Sequence, residues 1–222
     1  MKTFVIATRN KHKVEEIRSI LGEEDCRFLT LSDFPDAPPI VEDGNTFVEN
    51  AMKKSVGIAQ WIASSDRLKE NGGRAYVLAD DSGLEVDGLN GAPGVHSARF
   101  AAMDTGAAGN SPDHENNAKL IRLLEGVPAN RRTARFRCVI SVTPVLGGAN
   151  AETLGQKTKT FAGACEGRIV SEPSGKDGFG YDPLFIPQGY SDSFAELGEE
   201  VKNRLSHRAK ALQQLRESLP RL

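Results

Sequence analysis

Cysteine is scarce here, with three in 222 residues, at positions 26, 138 and 165. They stand far apart and make no Cys-x-x-Cys. That excludes a disulfide framework and leaves no zinc-ligand spacing, so thiols in a reducing compartment are expected. A basic block is also missing. Lysine and arginine number 28 against 30 acidic residues, for a net charge of -2. With no basic stripe, a nucleic-acid partner is not expected. Long apolar runs are absent too. The N-terminus has one only from Phe4 to Ala7 before Arg9, too short for a signal peptide, and nothing later could span a membrane. A cytoplasmic protein without a membrane partner is the expectation. There is no internal repeat and no low-complexity segment.

What is present is an ordinary globular composition, 39% hydrophobic and 26% charged, in a length that suits one large α/β domain or two closely joined lobes. Residues 3–7 read as a strand. Asn10 can cap a following helix, with Val14, Ile17, Ile20 and Leu21 on one face and Gly22 as its stop. Thr46 and Glu49 fit a capping box for a second helix. Residues 64–74 are polar, include Gly72-Gly73, and predict an exposed connection. Residues 75–79 are apolar throughout, as in a strand covered on both faces. Such a strand is expected to end in a polar loop, here Asp80-Asp81-Ser82-Gly83. Ser111-Pro112 predicts a helix start, with Leu120, Leu123 and Leu124 as the apolar stripe. Residues 136–142 predict a half-buried strand, 147–155 a turn region and 156–162 a hairpin return. Short strands are expected at 169–170 and 184–186, and two helices at the C-terminal end, the second capped by Ser206.

Five clusters carry chemistry. Asp80-Asp81 is the centre, because two adjacent carboxylates need water, a cation or a proton; a solvated turn would also accommodate them. Thr8-Arg9-Asn10-Lys11-His12-Lys13 lies at a strand-to-helix turn. Its lysines oppose the helix dipole unless an anion fills the site, so it reads as a phosphate cradle or as a solvated basic turn. It is not a Walker loop. Glu42-Asp43 precedes the Thr46 cap, either as a dipole partner or as a carboxylate that joins Asp81 around Mg²⁺. Residues 175–183 contain three glycines that allow close backbone approach, with Phe179 and Tyr181 as a possible aromatic face for a base; a tight, partly buried turn is the other reading. In the segment from Lys202 to Arg208, His207 and Arg208 repeat the pattern of cations at a helix start, which favours an anionic or carbonyl-bearing ligand.

Taken in order, Ala7-Thr8-Arg9-Asn10-Lys11-His12-Lys13, Glu42-Asp43-Gly44-Asn45-Thr46-Phe47 with Glu49-Asn50-Ala51, Ala79-Asp80-Asp81-Ser82-Gly83-Leu84, Gly91-Ala92-Pro93-Gly94 with Ser97-Ala98-Arg99, Gly178-Phe179-Gly180-Tyr181-Asp182-Pro183 and Ser206-His207-Arg208 resemble the inosine triphosphate pyrophosphatases. Segments 64–74 and 145–155 are longer than that family's usual form, and Arg9 and His96 are less typical at their places. The resemblance implies a single domain over 1–222. Its fold would be α/β and two-lobed, with a long central mixed sheet flanked by helices and an active-site cleft between the lobes. It also implies a homodimer, Mg²⁺ dependence, and hydrolysis of deaminated purine nucleoside triphosphates (ITP, dITP, XTP) to the monophosphate and pyrophosphate, cleansing the nucleotide pool. By motif, Thr8, Arg9, Asn10, Lys11, His12 and Lys13 would hold the phosphates. Glu42 and Asp81 would hold the metal, with Asp81 as general base, and Ser82 would contact substrate. Phe179, Gly180, Tyr181, Asp182, Lys202, His207 and Arg208 would surround the sugar and base. Two other readings remain at this stage: a Maf-like pyrophosphatase acting on pyrimidine or modified nucleotides, and a non-catalytic nucleotide-binding module.

Overall fold

The computed structural model describes residues 1–22, 24, 26–65, 68 and 74–222. Most of the connection expected at 64–74 lies outside these described residues. Six strands, β1 (Lys2–Ile6), β2 (Cys26–Thr30), β3 (Ala75–Val86), β4 (Thr133–Pro144), β5 (Lys159–Ile169) and β6 (Phe185–Pro187), form one sheet in the order β2-β1-β3-β4-β5-β6. Helices α1 (Lys11–Leu21), α2 (Phe47–Ser64), α3 (Asp113–Leu123), α4 (Ala151–Lys157), α5 (Phe194–Leu205) and α6 (His207–Ser218) flank it. The sheet is mixed: β1 runs parallel to β2 and β3, whereas β5 and β6 are antiparallel. This is the expected α/β class. The chain forms two compact units, Met1–Asp81 with Val139–Ala162 and Ala211–Leu222, and Ser82–Cys138 with Gly163–Lys210.

In the first unit, β1 is the strand where the order reverses. The chain leaves it through α1 to β2 on one side, then returns through α2 to β3 on the other. Right-handed crossovers running in opposite directions put α1 and α2 on opposite faces. The core agrees. Ile58, Ala59 and Ile62 of α2 pack with Val5, Ala7, Val77 and Ala79, while Phe4, on the alternate parity, stacks on Tyr76 at 5.5 Å between centroids. Burying each of the larger of these side chains, Val, Ile and Phe, contributes about 1.5–3 kcal/mol. Asn10 caps α1 by accepting the Lys13 N–H at 3.3 Å. Thr46 caps α2 by accepting the Glu49 N–H at 3.1 Å, but Glu49 reaches back to the N–H of Asn45 at 2.7 Å rather than to Thr46.

Three expectations change along these elements. The stretch from 147 to 155 is not all turn. Asn150 accepts the Thr153 N–H at 2.8 Å and starts α4, which is fixed by the fully buried Leu154. The glycines around so short a helix hide its period. Next, β5 begins at Lys159 and runs through Ile169, absorbing the separate strand expected at 169–170. Third, β3 does not stop at Ala79. It continues through Asp80, Asp81 and Ser82 to Val86, and both aspartates are buried. Each has a cationic partner, described below, which removes the need for solvent. A buried hydroxyl chain also crosses this unit: Ser141 Oγ and Thr143 Oγ1 each donate to Ser55 Oγ at 2.8 Å, and Thr143 Oγ1 meets Thr158 Oγ1 at 2.8 Å.

The second unit is built on aromatic packing. Phe136 and Phe185 lie 4.7 Å apart, Phe185 and Phe194 5.3 Å apart, with Leu84, Val86, Leu120 and Leu124 in the same core. In α3, Leu120 and Leu124 are fully buried but Leu123 is 43% exposed, so Leu123 drops out of the expected stripe. Ser206 caps α6 as expected, accepting the Ala209 N–H at 3.1 Å.

Candidate active site

Ligands on doubly wound sheets gather at the carboxyl ends of strands where the order reverses. Here the order reverses at β1, whose carboxyl end lies against the middle of β3, with Ile6 paired to Leu78. The Ala7 N–H donates to the Leu78 carbonyl at 2.7 Å, and the Thr8 N–H turns back to the Ile6 carbonyl at 3.0 Å. The turn after β1 is built by its own side chains. Thr8 Oγ1 accepts the Asn10 N–H at 3.2 Å, and Asn10 caps α1. Arg9 turns aside and donates to the Ala37 carbonyl at 3.3 Å. Lys11 and His12 are exposed in the first turn, with His12 3.9 Å from Glu15. Lys13 points inward and pairs with Asp80.

The sequence reading did not include Lys54. Its Nζ reaches Glu42 Oε2 at 2.6 Å, Asp81 Oδ1 at 3.1 Å and the Asp80 carbonyl at 2.7 Å. It therefore gathers Glu42 and Asp81, which stand 39 positions apart in the chain, at one ammonium. A signal existed: Phe47, Ala51, Lys54 and Ile58 follow the 4-3-4 spacing of one helical face, so Lys54 occupies a place that the period reserves for a buried residue. The loop bearing Glu42 is tied down by Asn50, whose side chain accepts the Gly44 N–H at 2.8 Å and donates to the Gly44 carbonyl at 3.4 Å. A Cβ on Gly44 would lie 2.7 Å from that Asn50 oxygen, so this approach needs glycine.

The electrostatics single out Asp81. Burial pushes its pKa up to about 6, against the pull of Lys54 and Lys13 and with some help from the nearby Glu42 charge. Burial opposes the charge on Lys54, but the carboxylates of Asp81 and Glu42 overcome it and hold that ammonium's pKa up. Asp81 Oδ2 is buried and has no hydrogen-bond partner among the described residues. Such an oxygen is costly unless something else meets it. No group of three or more His, Cys, Asp or Glu among the described residues is arranged to hold a metal. Mg²⁺ does not need one, because it commonly takes one or two carboxylates and completes its shell with water and substrate phosphate. Glu42 and Asp81, as hard oxygen donors with one lone oxygen between them, fit that demand.

A second group of the expected residues comes together in the second unit. Arg208 is 1% exposed and donates to Ser82 Oγ at 2.9 Å. Its guanidinium lies 5.9 Å from the Phe179 ring centroid, and Lys202 Nζ lies 4.2 Å from it. Lys202 also donates to Asp182 Oδ2 at 2.6 Å, and the same oxygen accepts the Phe179 N–H at 2.9 Å. Phe179 and Gly180 are partly exposed. Tyr181 is placed differently from Phe179. It is buried in the core with its hydroxyl donating to the Ser97 carbonyl at 2.9 Å, and burial pushes its pKa up. Of the two aromatics, Phe179 alone offers a ring face. His207 is also buried, stacked on Phe136 at 4.9 Å and 14°, so it is not the surface histidine that a lone His usually is.

The chain as a whole has counterparts among known proteins. The Ham1 family profile matches residues 4–218. A dITP/XTP pyrophosphatase of Desulforamulus reducens is 46% identical over 219 residues, covering 99% of this chain and 96% of that protein. A dITP/XTP pyrophosphatase of Geobacillus kaustophilus is 44% identical, covering 98% and 94%. The structure of a HAM1 protein from Coxiella burnetii aligns with a TM-score of 0.80 at 34% identity, over 100% of both chains. With a profile match that spans nearly the whole sequence and relatives this similar from end to end, the chain belongs to the Ham1 family.

Proposed function

We propose that this protein hydrolyses deaminated purine nucleoside triphosphates, ITP, dITP and XTP, to the nucleoside monophosphate and pyrophosphate, and so cleanses the nucleotide pool. The observation that carries this reading is the activity for which its full-length relatives are named. The chemistry at β3 supports it. Mg²⁺, held by Glu42 and Asp81, would neutralise polyphosphate charge and help activate water when bound. Asp81 accepts a proton from the attacking water, with a pKa of about 6 that suits a base working near neutrality. Lys13, Lys54 and the N-terminal turn of α1 take up negative charge that grows on the phosphate oxygens. Thr8 and Asn10 shape that turn. Positioning and electrostatics suffice for phosphoryl chemistry of this kind.

For the base, Phe179 offers a stacking face, with Lys202 and Arg208 beside it. Arg208 only donates hydrogen bonds. The purine 6-carbonyl of inosine or xanthosine accepts them, whereas the adenine 6-amine does not. The enzyme would work as a homodimer in the cytoplasm, where nucleoside triphosphates are made and used; light scattering on the purified protein checks the first and fractionation the second. The principal test is a nucleoside triphosphate panel with Mg²⁺, scoring pyrophosphate against orthophosphate. ITP and XTP are expected to release pyrophosphate, ahead of ATP and the pyrimidine nucleotides. Pyrimidine preference or release of orthophosphate would overturn the reading, and so would an activity that persists unchanged in EDTA for its metal.

A further inference from the structure

The loop that carries Phe179 is held from a side that neither the motifs nor the proposed chemistry mentions. Asp113, the first residue of α3, accepts the Gly180 N–H through Oδ2 at 2.6 Å. Asn117, one turn later, donates from Nδ2 to the Gly180 carbonyl at 3.0 Å. The two peptide groups flanking Gly180 are thus fixed by side chains at i and i+4, which share a helix face. The Gly180 N–H belongs to the peptide that leaves Phe179, and the N–H entering Phe179 is held by Asp182. The backbone of Phe179 is therefore gripped on both sides of its Cα, which leaves only its side-chain torsions to place the ring.

We propose that Asp113 and Asn117 are positioning residues for the nucleobase: together they clamp the Gly180 peptides, and so orient the Phe179 ring against which the purine stacks. This rests on the reading of Phe179 as a base platform. Neither residue touches the ring, so their effect is exerted through the loop. α3 is well placed to serve as a fixed post. Lys119 is buried and donates to the Phe100 carbonyl and to Asp104, each at 2.6 Å, and Asn116 is buried and accepts the Ala101 N–H at 2.9 Å. The loop itself cannot relax easily on its other side. Gly175 has φ +88, and a Cβ there would lie 2.4 Å from the Ala195 backbone. A clamp on a platform acts on binding in ground state and transition state alike, so its loss shows in KM rather than kcat.

The test compares Asp113→Ala, Asn117→Ala and their combination with Asp113→Asn and with Phe179→Ala. ITP kinetics, inhibition by the product pyrophosphate, and melting temperature are measured for each. The double alanine variant is expected to raise the KM for ITP about tenfold, as loss of a base stack would, with kcat within about twofold and pyrophosphate inhibition unchanged. Asp113→Asn keeps an acceptor for the Gly180 N–H and is expected to stay close to wild type. If Phe179→Ala raises KM but the clamp variants do not, the clamp is refuted while the platform stands. If Phe179→Ala has no effect, the platform reading falls and the inference falls with it. A loss of pyrophosphate inhibition in step with KM would show a general structural defect and overturn the positioning role.

Discussion

Asp81 meets two demands that oppose each other. Its proposed use as a base needs a carboxylate, and its burial disfavours one. Its folded pKa of about 6 lies above the ordinary 3.8. For an acid shifted this way the fold has its full stability below the unfolded value, and loses some as pH rises through the folded value. Replacing it with asparagine removes the charge and that loss together. In metal-free buffer, Asp81→Asn is therefore expected to gain in melting temperature on wild type from about pH 4 to about pH 6.5, and to hold its advantage above. A gap that shrinks with rising pH would contradict the buried-charge account. Turnover of ITP with Mg²⁺ should nevertheless fall by about 10²-fold or more; near-wild-type turnover would exclude Asp81 as base or ligand. Arg208 offers a second contrast. If it reads the purine 6-carbonyl, Arg208→Ala should reduce the ITP/ATP ratio of kcat/KM by at least about fivefold, mainly through ITP, since an unmet buried polar group costs ~1–3 kcal/mol. A loss shared equally by both nucleotides would assign Arg208 a structural role instead.

At the level of elements, the informative ones are those whose chemistry and period disagree. The helix starts at Asn10, Thr46 and Ser206 were legible because a capping residue stands just before an apolar period, and those signals are local. The reach of β3 was not. A strand that carries Asp80-Asp81-Ser82 looks like a strand that has ended, because the sequence does not display the cations that α1 and α2 bring to it. Lys13 was singled out for the dipole it opposes; Lys54 was passed over, although it interrupts the buried face of α2. The 175–183 loop is legible as glycine-rich and tight, but nothing local in the sequence shows that α3 holds it. One glycine there shows how tight it is. Gly178 has φ +78, and a Cβ would sit 2.3 Å from Asp182 Oδ2, the oxygen that serves both Lys202 and Phe179. Gly178→Ala is expected to cost about 1–3 kcal/mol in urea unfolding and to raise the KM for ITP. Full stability in that variant would mean that the loop has another conformation of similar energy.

At the scale of the whole molecule, acid should act through scattered surface carboxylates as well as through the site. Lys53 beside Asp43, Arg135 beside Asp87 and Lys119 beside Asp104 hold those carboxyls below their usual values, and the Ser174 hydroxyl does the same for Glu196. Depressed acids give stability that is present above the unfolded pKa and lost as pH falls through the folded one. Melting temperature should therefore decline below about pH 4. Salt should weaken the part owed to the three ion pairs more than the part owed to Glu196, whose partners are a hydroxyl and a backbone N–H. Melts from pH 7 to pH 3 at two salt concentrations decide this; a profile flat to pH 3 would show that these contacts add nothing. The alternation of β3 has a different kind of consequence. Asp80 meets Lys13 from α1 on one face, and the next residue meets Lys54 from α2 on the other. One residue inserted between Val77 and Asp80 would shift that parity, turning each carboxylate toward the helix meant for its neighbour. A substitution in this stretch alters one contact, but a change of length alters every contact beyond it. In a library of insertions and deletions, survivors should thus accumulate in connections such as 145–150 and be missing from 75–81, so that this part of the gene can drift in spelling but not in count.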